Sequence, residues 1–196
     1  MDLDSAPDLV GRGVRLRALH DGDVTQRAAL GRSREIVRAM GGDLLGDEPM
    51  TEDEAAAQLQ HRFGPGPHWI LADESNLLVG VIRLAPIDRA NRSARLSIGI
   101  FDPDRLGQGL GTEATRLALA YGFDVLGLHR VSLTVLADNT RAVAAYRSCG
   151  FTVEGRLRET LFRDDSWHDD LAMAILAPEW AENDEDPGSG ESGGFR

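Results

Sequence analysis

The sequence predicts an α/β (α+β) fold, and three observations carry the prediction. Apolar and polar residues alternate with the period of strands in several short stretches. Between them lie segments whose apolar residues recur at helical spacing. One stretch joins the two periods directly. Ala94, Leu96, Ile98 and Ile100 alternate with Arg95, Ser97 and Gly99; Gly107, Gly109 and Gly111 fall at every second position; Ala114, Leu117, Ala118, Tyr121 and Val125 then recur as on a helix face. The rest of the chain is organised around that strand, turn and helix.

In order along the chain, Met1 to Leu9 are polar and expected to be loose. Val14 to Leu19 alternate and predict a first strand. Asp21 to Asp23 turn the chain into a helix containing Val24, Ala28 and Leu30, and a second short helix is expected over Glu35 to Met40, ended by Gly41 and Gly42. Thr51-Glu52-Asp53-Glu54 has the form of a capping box, with the Thr51 hydroxyl accepting from the Glu54 N–H and the Glu54 side chain reaching back. It predicts a helix from Glu52 to Phe63, stopped by Gly64-Pro65-Gly66-Pro67. His68 to Ala72 and Leu77 to Leu84 read as two strands joined by a turn at Asp73 to Asn76. The second is almost wholly apolar, as a central strand buried on both faces is. A hairpin through Asp88 to Arg92 delivers the strand of the opening paragraph. The long helix should end near Gly127, a plausible left-handed closing residue. His129 to Leu136 is a further strand, Asn139 to Cys149 a short helix, and Thr152 to Phe162 with Trp167 to Leu176 a closing strand pair. A single domain is expected over residues 1–180. Residues 181–196 are rich in acids, Gly, Ser and Pro and read as a disordered tail.

A chain of 196 residues has the size of one domain, and 42 % hydrophobic residues fit a globular class. The formal net charge of −11 argues against a non-specific nucleic-acid binder and for cationic partners, either small amines or basic peptides. One cysteine, Cys149, cannot form an internal disulfide and fits a reducing, cytoplasmic compartment. No signal peptide and no membrane-spanning run is read, so no membrane partner is expected. A homodimer stays open. The five histidines show no metal-ligand spacing, so no metal is expected.

The glycine turn suggests chemistry. Backbone N–H groups at a helix start lack helical partners and carry the positive end of the dipole, and glycines let an anion approach them closely. Such a turn suits a phosphate. A P-loop requires Lys after its last glycine, and this chain has no Lys at all. A dinucleotide fingerprint requires a third glycine one place later than Gly111 and a position early in the chain.

The downstream residues point elsewhere. Asn139, Ala142, Tyr146, Gly150-Phe151 and Glu154-Gly155 form the run N-x-x-A-x-x-x-Y-x-x-x-G-F-x-x-E-G. With Gly107-Gln108-Gly109-Leu110-Gly111-Thr112, Leu128-His129-Arg130-Val131, and Leu16-Arg17-Ala18-Leu19 before an acidic turn, it resembles the GNAT superfamily, and within it the RimJ/RimL-like N-acetyltransferases. The likeness covers Val14 to Trp180. It implies a mixed, mostly antiparallel central sheet flanked by helices and splayed between the fourth and fifth strands. Acetyl-CoA would lie in the splay as co-substrate, with its pyrophosphate on Leu106, Gly107, Gln108, Gly109, Leu110, Gly111 and Thr112. Its pantetheine would run along Ile98, Gly99 and Ile100 as an added strand. Gly99 is then a candidate for the bulge that opens the splay, or for a close backbone contact.

The same resemblance implies N-acetyl transfer to a primary amine, a small molecule or a peptide N-terminus, by direct attack on the thioester. Tyr146 would protonate the departing thiolate. Asn139 is by position an N-cap, and the resemblance adds a bond to the cofactor. Two departures stand out. Leu106 occupies a slot that is often Gln or Arg in the family, with Arg105 one place early; and Arg95 stands where many relatives carry a basic carboxylate. Pattern therefore assigns no base; the candidates are a water chain, Glu35 and an acid of the Asp164 to Asp170 loop. Trp167-His168-Asp169 is a candidate lining of the acceptor entrance. Cys149 reads as a packed thiol. The alternative to an enzyme is a non-catalytic acyl-CoA-binding sensor or interaction module.

Overall fold

The computed structural model describes residues 6–43, 45–62 and 66–185. Its chain order is β1 (Leu9–Gly11), β2 (Val14–Arg17), α1 (Gly22–Leu30), α2 (Arg34–Ala39), α3 (Glu52–Arg62), β3 (His68–Asp73), β4 (Leu78–Asp88), β5 (Ser93–Ile100), α4 (Leu110–Ala120), β6 (Arg130–Leu136), α5 (Thr140–Ser148), β7 (Thr152–Arg163), β8 (Ser166–Leu176) and α6 (Ala177–Glu185). The eight strands form one sheet in the order β1-β2-β3-β4-β5-β6-β8-β7. Every neighbouring pair is antiparallel except β5 and β6.

That parallel pair is short. Ser93, Ala94 and Arg95 pair with Arg130, Val131 and Ser132, and the two strands then part. The predicted splay is therefore present between the fourth and fifth of the predicted strands, which are β5 and β6 once β1 is counted. β1 was not expected. Leu9, Val10 and Gly11 pair with Leu16, Arg15 and Val14 across a two-residue turn, in which Gly13 takes a φ of +73°. The Pro7 carbonyl also accepts from the Trp69 indole at 2.8 Å.

Residues alternate across the sheet, so the central strands feed two cores. Trp69 and Leu71 of β3, Leu84 of β4, and Met173 and Ile175 of β8 pack with Ala114, Ala118 and Leu119 of α4 and Val143 of α5. Ile70 and Ala72 of β3, with Leu78 and Val81 of β4, meet Leu59 of α3 and Phe101 on the other face, against Val24 and Leu30 of α1. This double burial is the reason β4 reads as a continuous apolar run.

The capping box forms: Thr51 N–H donates to Glu54 Oε2 at 2.9 Å and Glu54 N–H to Thr51 Oγ1 at 3.2 Å. The stop at Gly64-Pro65 lies outside the described residues. Gly127 takes a φ of +64° where the helical path after α4 ends. Position 181, the expected start of the tail, instead lies inside α6. Trp180 stacks on Phe123 at 5.8 Å and Glu179 accepts from Leu176 N–H at 2.8 Å, so the helix is seated before the acidic residues begin. Residues 186–196 lie outside the described residues. No helix among the described residues is long and apolar enough to cross a membrane.

The Gly99 bulge is corrected. Gly99 pairs in register with Val81, and the irregularities lie at Leu84 to Ile87 and at Val79, which is extra between the pairs Leu71–Gly80 and Ala72–Leu78. The close contact that requires a glycine lies across the ladder, at Gly80. A Cβ on Gly80 would overlap the Gly99 carbonyl oxygen.

Candidate active site

The parting of β5 and β6 opens a cleft of about 820 Å³. Its first wall is the free edge of β5. Phe101 N–H donates to the Val79 carbonyl at 2.8 Å, so the odd-numbered residues of β5 direct their backbone groups at β4. Alternation then turns the N–H and C=O groups of Ile98 and Ile100 toward the gap.

The glycine turn forms one mouth. Asp102 Oδ1 accepts from Asp104 N–H at 2.9 Å and starts a tight turn at Pro103 to Arg105. Gly107 and Gly109 follow with φ of +74° and +81°, which an L side chain resists. A Cβ at either would meet nothing within 4 Å. Gly109 is the cap residue of α4 and offers no side chain, so among the described residues the first N–H groups of α4 have no capping side chain. Arg105 lines the cleft, with its guanidinium held by Asp73 at 2.7 Å.

The facing wall is α5. Asn139 Oδ1 caps it by accepting from Ala142 N–H at 3.2 Å, and Asn139 Nδ2 donates to the Ala39 carbonyl at 3.1 Å. The residue thus ties α5 to the end of α2, and one amide hydrogen is left for the cleft. Tyr146, two turns along, is half-buried with its ring edge-on to Phe151 at 5.8 Å. Burial, with Cys149 beside it, pushes the Tyr146 phenol up to about 12. Cys149 is buried, its thiol directed at the Thr112 carbonyl at 3.5 Å and pushed up to about 11 by desolvation, as a packed thiol should be.

Ile98, Gly99 and Ile100 of β5, Leu106 and Gly107, Gly109 to Thr112, Asn139 and Tyr146 all line this one cleft. Gln108 does not; its amide donates to the Asp104 carbonyl at 2.7 Å and braces the turn from outside. Trp167, His168 and Asp169 are corrected as an acceptor entrance, since none lines the cleft. Trp167 is 59 % exposed and packs on Phe162, His168 Nδ1 meets Asp138 at 3.0 Å, and Asp169 accepts from Arg156 at 2.8 Å. Glu35 is paired with Arg141 at 3.0 Å. Arg95 spans the parting strands, donating to Thr134 Oγ1 at 2.6 Å, so no carboxylate of β5 reaches this side. The far wall, where Ile36, Met40 and Gly41 close over Leu136, Thr160, Leu161 and Asp170, is not marked by local pattern, beyond Asp170 being one of the loop acids considered as a base.

A sheet parted at one short parallel pair, with a glycine-capped helix start at the opening, is the architecture of an acyl-CoA-dependent transferase. A family model described as the acetyltransferase (GNAT) domain matches residues 14–152, and the chain belongs to that family. It is a GNAT-family N-acetyltransferase with acetyl-CoA as co-substrate. Among curated proteins it is 30 % identical over 175 residues to the spermidine N(1)-acetyltransferase of Vibrio cholerae, across 88 % of this chain and 98 % of that protein. It is 32 % identical over 103 residues to the putative ribosomal N-acetyltransferase YdaF of Bacillus subtilis, across 53 % of this chain and 56 % of that protein. A solved structure of the V. cholerae spermidine N-acetyltransferase with CoA and spermine superposes with a TM-score of 0.70 at 28 % identity, covering 86 % of this chain and 98 % of that one.

Proposed function

We propose that this chain, as one domain over residues 1–180, transfers the acetyl group of acetyl-CoA to a primary amine of a small cationic acceptor in the cytoplasm. Attack is direct, within a ternary complex, and Tyr146 is the general acid. The observation that carries the reading is the placement of Tyr146 on the wall of the same cleft whose mouth is the α4 helix start. The pyrophosphate would rest on the N–H groups of that start, and the pantetheine would follow the free edge of β5.

A neutral amine attacks the thioester carbonyl and a tetrahedral oxyanion forms. N–H groups of the β5 edge are the available donors for that charge. The attacking nitrogen gives up its extra proton to water, and collapse expels the CoA thiolate, which takes the Tyr146 proton; the phenolate is reprotonated from solvent before the next turnover. A phenol pushed up to about 12 keeps its proton throughout the neutral range. The burial that raises it also raises a thiolate formed beside it, so donor and acceptor shift in the same direction. The acceptor class is supported by the names of the polyamine-acetylating relatives and by the net charge of −11, which concentrates cations at the surface.

The test is release of free CoA from acetyl-CoA with a panel of polyamines, simple alkylamines and peptides, with products read by mass spectrometry. A polyamine is expected to be the best acceptor. A peptide acetylated only at its N-terminus would move the reading to the protein-directed class, which the likeness to YdaF supports. Acetyl-CoA binding with no acetylated product would favour the non-catalytic module.

A further inference from the structure

The cleft runs through the sheet, and its two ends differ in chemistry. On β8, Leu171, Met173 and Ile175 turn into the core under α4 and α5. Alternation places Asp170 on the opposite face, level with Leu136 of β6 and Leu157 of β7. Thr134 and Arg95 share that face, away from the glycine turn. The end of α2 closes over it: a Cβ on Gly41 would touch Leu161 at 3.7 Å and Leu136 at 3.9 Å. That end is pinned by the Arg163 bond to the Arg38 carbonyl at 2.7 Å and by the Asn139 bond to Ala39.

Asp170 is the sole carboxylate on the cleft wall among the described residues. It is half-buried, and among the described residues its side chain has neither a hydrogen bond nor an ion pair. Its surroundings make that unusual. Asp169, next in the chain, is satisfied by Arg156 and by Glu159 N–H, both at 2.8 Å. Asp138 meets His168, and Asp164 meets Arg38. The cations on the cleft wall are engaged elsewhere: Arg105 with Asp73, Arg141 with Glu35, Arg95 with Thr134. A partly desolvated carboxylate without a partner is costly unless a ligand supplies the cation.

We propose that Asp170 is the acceptor-binding residue, pairing with the ammonium group of a cationic amine that enters from the α2 side, across the sheet from the glycine turn. This rests on the acetyl-transfer reading above and adds to it the residue that selects the acceptor. The carboxylate holds the amine in the cleft; the ammonium loses one proton to water, and the neutral amine attacks. Arg95, fixed to Thr134 on the same face, keeps a second cationic group of the acceptor from settling at the apex of the splay.

The test is Asp170→Asn, which keeps the shape and removes the charge. Its thermal midpoint and acetyl-CoA affinity should match wild type. Calorimetric titration of spermidine into the CoA complex should show binding weakened at least tenfold. In turnover, KM for the amine should rise at least tenfold with KM for acetyl-CoA unchanged. At pH 9 the loss should be larger for an alkylamine, whose pKa is about 10.4, than for a peptide α-amine of pKa about 7.7–8.0, already mostly neutral. A merely structural defect would affect both alike. Equal spermidine affinity in variant and wild type, no spermidine binding to wild type, or equal losses for both amines would overturn the assignment. Weakened binding in the variant, with no turnover by wild type, would keep Asp170 as the amine site and remove the acetyl-transfer reading.

Discussion

Arg17 and Asp23 form a bidentate ion pair almost wholly out of water: Nη1 to Oδ2 at 2.7 Å and Nη2 to Oδ1 at 2.8 Å, each residue 1 % exposed. Arg17 Nε also donates to Asn76 Oδ1 at 2.8 Å, and Asp23 accepts from His20 N–H at 2.7 Å. The pair therefore joins β2, the start of α1 and the β3–β4 turn. Removing one partner strands the other charge. Asp23→Ala should cost about 3–5 kcal/mol. For a chain of this size that is a fall in Tm of roughly 10 °C. Replacing both residues together, as Arg17→Met with Asp23→Leu, should cost clearly less. Calorimetric melting decides, and a single variant as stable as wild type would show that the pair contributes nothing.

Gly109 carries two demands at once, a φ of +81° and an open side toward the cleft. Gly109→Val should therefore lose about 1–3 kcal/mol of stability to backbone strain. Its acetyl-CoA affinity should fall at least tenfold. Titration at a temperature where the variant remains folded separates the two. Unchanged affinity would detach the helix start from the pyrophosphate.

The Arg32 guanidinium, with the Thr51 N–H next in weight, holds the Glu54 carboxyl down to about 2. Its folded value lies below the usual carboxylate range, so its stabilisation is full above about 4.5 and is lost as pH falls toward 2. Wild type and Glu54→Gln should differ in Tm at pH 7, and the difference should shrink over that window. A constant difference from pH 7 to pH 2 would remove the charged capping box from the stability of α3.

What the sequence revealed is local, and what it hid depends on pairing. Alternation over Ala94 to Ile100 and the glycines after it are short-range signals, and β5, the turn and α4 formed where they pointed. β1 escaped because three residues and an Arg12-Gly13 turn carry little pattern. A strand glycine suggests either a bulge or a close contact, so Gly99 is a candidate for both; register with β3 puts the bulge at Val79. The acceptor wall was illegible for the same reason. Four aspartates lie between Asp164 and Asp170, and a one-residue slip of β8 on β6 would exchange Asp169 and Asp170 between the sheet's faces. No local rule sets that register. The splay itself was legible only through family resemblance, because a strand's edge shows no sign of where its partner leaves it.

Tyr146→Phe gives the sharpest test of the mechanism. The substitution keeps the ring against Phe151 and removes a hydroxyl that has no hydrogen-bond partner among the described residues. Stability should stay near wild type, and so should acetyl-CoA affinity, since the pyrophosphate site proposed above is the helix start at the other mouth of the cleft. If the phenol protonates the departing thiolate, kcat should fall by roughly 10²–10⁴. The pH profile supplies an independent sign. An acid works only while protonated, and burial pushes this one to about 12, so the alkaline fall in wild-type kcat should lie above the range of an ordinary tyrosine, near 10. Steady-state rates with the best amine of the panel, from pH 6 to 11, measure both. A kcat within twofold of wild type, under conditions where acetyl transfer limits turnover, would take Tyr146 out of the mechanism and leave the thiolate to be protonated by water.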